Sequence, residues 1–173
     1  TRPVRPPGPR DLLRLVAVDD PRISPDGELV AWLETRFVPE EDATRTALQV
    51  AAADGSGTAR TLVEREGLAR PRWSPDGGEL AFLIPSDEGR TRIASIGRDG
   101  GDPVVWPDAG GPVLDLAWSP AGDGVAAVVR RPAPGAPPTP PGVVRTTRLA
   151  WKQDGAGLLG DSWRTLAWCP REG

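Results

Sequence analysis

The sequence predicts an all-β fold: an incomplete β-propeller of about three four-stranded antiparallel blades with Ser-Pro-Asp-Gly hairpins. Three observations carry that prediction. A turn tetrapeptide recurs three times, an apolar run follows each copy, and a second motif ending in an acid and a glycine recurs in step with the first.

The first motif is Ser24-Pro25-Asp26-Gly27. It returns as Ser74-Pro75-Asp76-Gly77 and, without its acid, as Ser119-Pro120-Ala121-Gly122. The serines are 50 and 45 residues apart. Proline presets φ for the first central position of a turn, and Asp and Gly tolerate the reversal that follows. Before each serine stands a large apolar residue, Ile23, Trp73 or Trp118. After each turn comes an unbroken apolar run, Val30 to Leu33, Leu80 to Leu83 and Val125 to Val128. Each unit reads as a hairpin whose outgoing strand is buried on both faces, with Trp32, Trp73 and Trp118 in the core.

The second motif is LQVAAADG at 48–55, IASIGRDG at 93–100 and LAWCPREG at 166–173. It reads as a third strand closed by an acid-Gly turn. TARTLV and DPVVW follow the first two copies as fourth strands. Four short strands in roughly 45 residues is the period of a propeller blade. Blade 1 is expected at about 19–63, blade 2 at about 68–106 and blade 3 at about 113–173. Blade 3 is interrupted by a Pro-rich insertion at 130–142 and by an extra hairpin over 148–161 turning at Asp154-Gly155. Residues 1–18 form an N-terminal extension, in which DLLRLVAV is expected to make a short helix capped by Asp11.

Composition narrows the function. The 173 residues carry a formal net charge of −3 and no histidine. Without an imidazole, Ser-His-Asp and Cys-His chemistry lacks its proton carrier, so no catalytic residue is assigned. The acidic balance argues against a nucleic-acid groove, which needs a basic stripe. No apolar run approaches the ~20 residues that span a bilayer, and no signal-peptide pattern is visible. Neither nucleic acid nor membrane is therefore an expected partner, and the cytoplasm is the default location. The chain begins at Thr1 rather than Met, so the true N-terminus is read as missing. The single cysteine, Cys169, allows no internal disulfide and no thiolate metal site. The acidic turns lack the spacing of a calcium loop, so neither metal nor cofactor is expected.

Four features invite a functional reading. GDSW at 160–163 looks like a hydrolase nucleophile block, but without histidine and in an expected turn it reads as turn chemistry. Ser24, Ser74 and Ser119 hold equivalent turn positions and are structural, while Ser56 is a loop serine. Glu40 and Glu41, in VPEEDATR, are candidates for binding a peptide's ammonium terminus, against the alternative of a solvated loop. Pro134 to Pro137 matches a polyproline II ligand, against an extended insertion loop.

The order DLLRLVAVDDPRISPDGELVAWL, PRWSPDGGELAFL, LAWSPAGDG and TRLAWKQDGAGLLGD resembles the N-terminal propeller of prolyl oligopeptidase-family serine peptidases. The branch it resembles is that of acylaminoacyl peptidases and dipeptidyl aminopeptidases. The likeness runs from about Asp11 to the end, and WKQDGAG is more specific than SPDG. It implies a propeller that caps an α/β-hydrolase domain and restricts entry to short peptides. In the family the nucleophile sits in a G-x-S-x-G-G elbow with Asp and His after it, and no part of that elbow stands in these residues. The implied partners are the missing C-terminal α/β-hydrolase domain of the same polypeptide and a peptide substrate. By this reading the chain is a gating and substrate-admission portion, not catalytic by itself. The alternatives are a non-enzymatic TolB-like binding module, or a truncated product without function. Three blades cannot close a ring, so a marginal chain that associates as a homo-oligomer is also expected.

Overall fold

The Ser-Pro-x-Gly turns are built the same way three times. The glycine N–H donates to the serine carbonyl at 2.9, 2.9 and 3.0 Å, and Gly27, Gly77 and Gly122 all have φ between 70 and 76°. Only glycine holds that left-handed conformation without a steric cost. The hairpin closes when the serine N–H donates to the carbonyl of Leu29, Glu79 or Gly124. The serine side chain completes the turn. Ser24 Oγ donates to Asp26 Oδ1 (2.5 Å) and accepts from the Leu29 N–H, and Ser74 does the same with Asp76 (2.6 Å) and Glu79. In the third copy Ala121 offers no carboxylate, and Ser119 Oγ turns to Asp123 instead (2.5 Å).

The computed structural model describes residues 6, 8–135, 140, 143–146, 149, 152–153, 157–158 and 160–171. Blade 1 comprises β1 (Val16–Ile23), β2 (Leu29–Val38), β3 (Ala43–Ala52) and β4 (Arg60–Arg65). Blade 2 comprises β5 (Ala69–Trp73), β6 (Glu79–Pro85), β7 (Thr91–Gly97) and β8 (Val104–Val105). Both are antiparallel meanders in chain order. Blade 3 has β9 (Val113–Trp118) and β10 (Gly124–Pro132). After them come a separate two-stranded hairpin, β11 (Lys152–Gln153) with β12 (Gly157–Leu158), and then β13 (Ser162–Pro170). β13 pairs with β10, so the third blade shows three strands among the described residues. The turn expected at Asp154-Gly155 lies outside them, as does Trp151.

The core lies in the two seams between blades. In the first, Ala31, Leu33, Leu48 and Val50 of blade 1 meet Trp73, Leu80, Phe82 and Ile96 of blade 2. In the second, Ala81, Leu83 and Ile93 of blade 2 meet Val125, Ala127, Val129 and Cys169 of blade 3. Burial on both faces therefore holds for β6, the middle blade's strand, whereas β2 and β10 alternate. The reason is geometric: among the described residues, blade 2 alone has a blade on each side. Trp73 is buried, Trp32 and Trp118 are half-buried, and Ile23 is exposed, with no sheet among the described residues on that side of blade 1.

The structure corrects other details. The helix is a 3-10 turn over Pro9–Arg14, capped by Gly8, and Asp11 is its third residue, accepting from the Gly8 N–H at 2.8 Å. Val16 to Val18 belong to β1, because the pull of pairing with β2 outweighs their helical spacing. Arg130 to Pro132, expected in the Pro-rich insertion, continue β10 against Ser162 to Arg164. Ser162 and Trp163 of GDSW accordingly stand in β13, not in a turn.

Phe82 is fully buried in the first seam, so Phe82→Ala is expected to cost about 3–5 kcal/mol, read from urea unfolding. Trp32, its half-buried counterpart in blade 1, is expected to cost less on the same substitution.

Candidate functional site

The first strands of the three blades, β1, β5 and β9, neighbour one another across the seams, so they form the side on which the blades converge. Charged residues recur there at fixed distances from the repeat serine. Four positions before it stand Asp20, Arg70 and Asp115, and two positions before it stand Arg22, Arg72 and Ala117. Asp20 and Arg70 share a left-handed backbone, with φ 49 and 56°, each at a register irregularity of its strand. A bulge of this kind re-aims a side chain, and repeated strain at one position is a mark of a constrained site.

Arg72 links all three blades. Its Nη1 donates to Asp20 Oδ2 of blade 1 at 3.0 Å, and its Nη2 donates to Asp115 Oδ1 of blade 3 at 3.3 Å. Arg22 pairs with Asp20 Oδ1 at 2.5 Å, and Arg70 Nε stands 3.9 Å from Asp115. The Arg72 and Asp20 side chains are only 19% and 10% exposed, so these contacts are charge-assisted and partly shielded from water. Three arginines against two aspartates leave the belt with one net positive charge. Arg22 and Arg70 stay accessible to a solute.

Two further devices tie each blade to the one before it. The indole of Trp73 donates to the Arg22 carbonyl, and that of Trp118 to the Arg72 carbonyl, both at 2.9 Å. These carbonyls hold the same repeat position. Arg98, just after β7, donates to Asp26 Oδ2 at 2.8 Å, and Arg171, just after β13, pairs with Glu79 at 3.1 Å. The turns also stack, since a Cβ on Gly77 would lie 3.4 Å from Pro25 and one on Gly122 3.8 Å from Pro75. In these two tethers the donor lies in the later blade and the acceptor in the one before it, whereas the Arg72–Asp115 pair and the Arg60 bond to the Arg98 carbonyl run the other way.

The turn carboxylates are tuned by this setting. The Ser24 hydroxyl, then the Glu28 N–H and Arg98, hold the Asp26 carboxyl at about 2. Ser74 and the Gly78 N–H lower that of Asp76. Burial pushes the Cys169 thiol up, which leaves it inert.

The expected site residues are placed as follows. Ser24, Ser74 and Ser119 are turn-builders. Glu40 and Glu41 lie exposed between β2 and β3, and Glu41 is engaged by Arg45 Nε at 2.8 Å. Ser56 accompanies Asp54 in an exposed turn. Among the described residues no cluster of three metal-ligating side chains occurs. The sequence reading missed Asp20, Arg72 and Asp115. Their signal is the recurrence of charge at two positions counted back from the serine.

No family model matches the chain. Solved neighbours include the acylaminoacyl peptidase of Pyrococcus horikoshii, with a TM-score of 0.75 at 17% identity over 94% of this chain and 24% of that one. The β-propeller domain of the Trilobed protease from Pyrococcus furiosus matches at TM-score 0.56 and 21% identity, covering 67% of this chain and 34% of that one. The fold is that of β-propeller blades. TolB from Acinetobacter baumannii matches at TM-score 0.53 and 20% identity, over 65% of this chain and 27% of that one. Among curated relatives, the uncharacterized peptidase YuxL of Bacillus subtilis is 26% identical over 119 residues, 69% of this chain. The Tol-Pal protein TolB of an Azoarcus species is 54% identical over 39 residues, 22% of this chain. The chain spans only 18% and 9% of those two relatives.

Two outcomes follow from this geometry. Arg72→Ala leaves Asp20 and Asp115 without their shared partner and is expected to destabilise the chain by about 1–3 kcal/mol in urea unfolding. The Asp26 carboxyl lies below its ordinary 3.8, so its contribution is present above that value and is lost as pH falls through about 2. The Trp73 and Trp118 fluorescence is expected to report the seams loosening in that window, and less steeply in Asp26→Asn.

Proposed function

We propose that these blades belong to a propeller that caps a serine peptidase, and that they admit short peptides to a catalytic domain they do not themselves contain. The observation that carries the reading is the extent of the match. The acylaminoacyl peptidase fold follows 94% of this chain, including the third blade, whereas TolB follows 65%. A peptidase among the curated relatives supports the same direction. In this role the belt of Asp20, Arg22, Arg70, Arg72 and Asp115 lines the passage. Its accessible arginines, Arg22 and Arg70, favour peptides bearing a carboxylate over those bearing an extra ammonium group.

A second reading, a TolB-type binding module, is favoured by the 54% identity over 39 residues. The two differ in whether hydrolysis accompanies the propeller. The test expresses the complete coding region and labels it with a fluorophosphonate probe. The expected result is labelling at a serine outside residues 1–173, with the 173-residue chain alone unlabelled and inactive on acyl-amino-acid anilides. A coding region that yields no labelled serine overturns the peptidase reading. With the labelled protein, Arg72→Ala is expected to raise kcat/KM for longer peptides relative to short ones.

A further inference from the structure

Six aspartates are followed directly by glycine: Asp26, Asp54, Asp76, Asp99, Asp123 and Asp154, the last outside the described residues. Such a step has a chemistry of its own, because the glycine nitrogen, unshielded by a side chain, can attack the aspartate carboxyl carbon. The attack needs the acid form of the carboxyl, since a carboxylate is a poor electrophile. It also needs a carboxyl free to swing toward the next nitrogen, and a backbone with room to rearrange.

Four of the five described steps are held against it. Asp26 accepts from the Ser24 hydroxyl at 2.5 Å, the Glu28 N–H at 3.0 Å and Arg98 Nη1 at 2.8 Å. Asp76 accepts from the Ser74 hydroxyl at 2.6 Å and the Gly78 N–H at 3.0 Å, and Asp54 from the Ser56 N–H at 2.8 Å. These bonds favour the ionised carboxyl. The Ser24, Ser56 and Ser74 hydroxyls first, then backbone N–H groups, hold Asp26 at about 2 and Asp54 and Asp76 below their ordinary value. A carboxyl lowered by one pH unit keeps about tenfold less of its acid form at a given pH. Asp123 is taken by the Ser119 hydroxyl at 2.5 Å, and its glycine is wedged: a Cβ on Gly124 would lie 2.6 Å from the Cys169 carbonyl and from the Trp168 ring.

Asp99, in the turn between β7 and β8 of the middle blade, differs on each count. Among the described residues its carboxylate accepts no hydrogen bond and is paired only with Arg60 Nη2, at 3.8 Å. Gly100 and Gly101 follow it with φ of 99 and 113°, and a Cβ on either would meet nothing within 4 Å. The turn bond donated by the Gly100 N–H does not set it apart, because Gly27, Gly55 and Gly77 donate the same bond.

We propose that Asp99–Gly100 is a self-modification site at which aspartate converts to isoaspartate. The Gly100 nitrogen bonds to Asp99 Cγ, and a carboxyl oxygen leaves as water with the amide and carboxyl protons, closing a five-membered succinimide. Water then opens the ring at the Asp99 main-chain carbonyl carbon, so that the chain continues through Cβ and Cγ and the α-carboxylate becomes the side group. Opening at Cγ restores aspartate. The product is one methylene longer in its main chain, directly after the residue that ties blade 2 to blade 1. The Arg98 N–H donates to the Gly78 carbonyl, its carbonyl accepts from Arg60, and its guanidinium holds Asp26. Conversion at Asp99 therefore loosens the turn end of the first seam. The chemistry is local to this turn and independent of the role proposed for the blades.

The test keeps the complete polypeptide in neutral buffer made with water enriched in heavy oxygen, and then maps its peptides by electron-transfer mass spectrometry. Each ring opening leaves one heavy oxygen, and isoaspartate gives its own backbone fragments. Label is expected at Asp99 about tenfold or more faster than at Asp26, Asp54 or Asp76. It is expected to vanish from that position in Asp99→Glu, whose longer side chain does not close the ring readily. A urea-unfolded sample is expected to label the five steps at comparable rates, which shows that the fold sets the ranking. Ser24→Ala, checked for folding by far-UV circular dichroism, is expected to raise the rate at Asp26 several-fold. Even labelling of the five steps in the native protein, a faster step among them than Asp99, or no label at Asp99 where the unfolded sample gains it overturns the assignment. An unchanged Asp26 rate in folded Ser24→Ala overturns the account of what protects the others.

Discussion

One sheet a single layer thick cannot shield both of its faces, and every other feature of this chain follows from how the faces are covered. Each blade offers an apolar surface forward and receives one backward, with Phe82 and Leu80 on one side of β6 and Ala81 and Leu83 on the other. Polar groups at the seam lose water on assembly, and the indole and guanidinium contacts give several of them a partner. Trp73 and Trp118 satisfy inner-strand carbonyls, while Arg98 and Arg171 neutralise acids at the turns. The hydrophobic term holds the blades together, and the directional bonds fix their register.

The inner-strand belt uses the same spacing for a different purpose. Once the seams set the distance between β1, β5 and β9, side chains at equal positions in three strands are brought side by side. Arg72 can then bridge Asp20 and Asp115, residues 95 apart in the chain. Its two carboxylates belong to different blades, so the contact both joins them and leaves charge at the convergent side. In the proposed role such a surface would sort incoming peptides by charge and size.

The turns were legible from sequence because their chemistry is local. Pro25, Asp26 and Gly27 each have one physical reason to stand where they do, and the reason repeats at the second copy. The third strand was legible because its acid-glycine ending repeats in step. The belt was not, because Asp20 and Arg72 look like ordinary solvated charges until the blades are stacked. The same holds for Asp11, whose role depended on a glycine three residues earlier and on β1 taking Val16. The double burial expected of β2 and β10 failed for the same reason: an apolar run states that a strand can be covered twice, not that a neighbour is there to cover it. Glu40 and Glu41 showed the converse, a conspicuous pair of charges of which one is taken up by Arg45.

The backward donors and forward acceptors give the stack a polarity. Blade 2 carries both kinds, the Trp73 and Arg98 donors toward blade 1 and the Arg72 carbonyl and Glu79 acceptors toward blade 3, so a second copy of it placed in tandem would find partners on both sides. Turning a blade around would set donor against donor. Growth of such a stack by duplication would therefore run in tandem, same-sense copies of one unit, and the third turn, where Ser119 bonds Asp123 in place of an acid at position 121, shows that the hairpin forms without its central carboxylate.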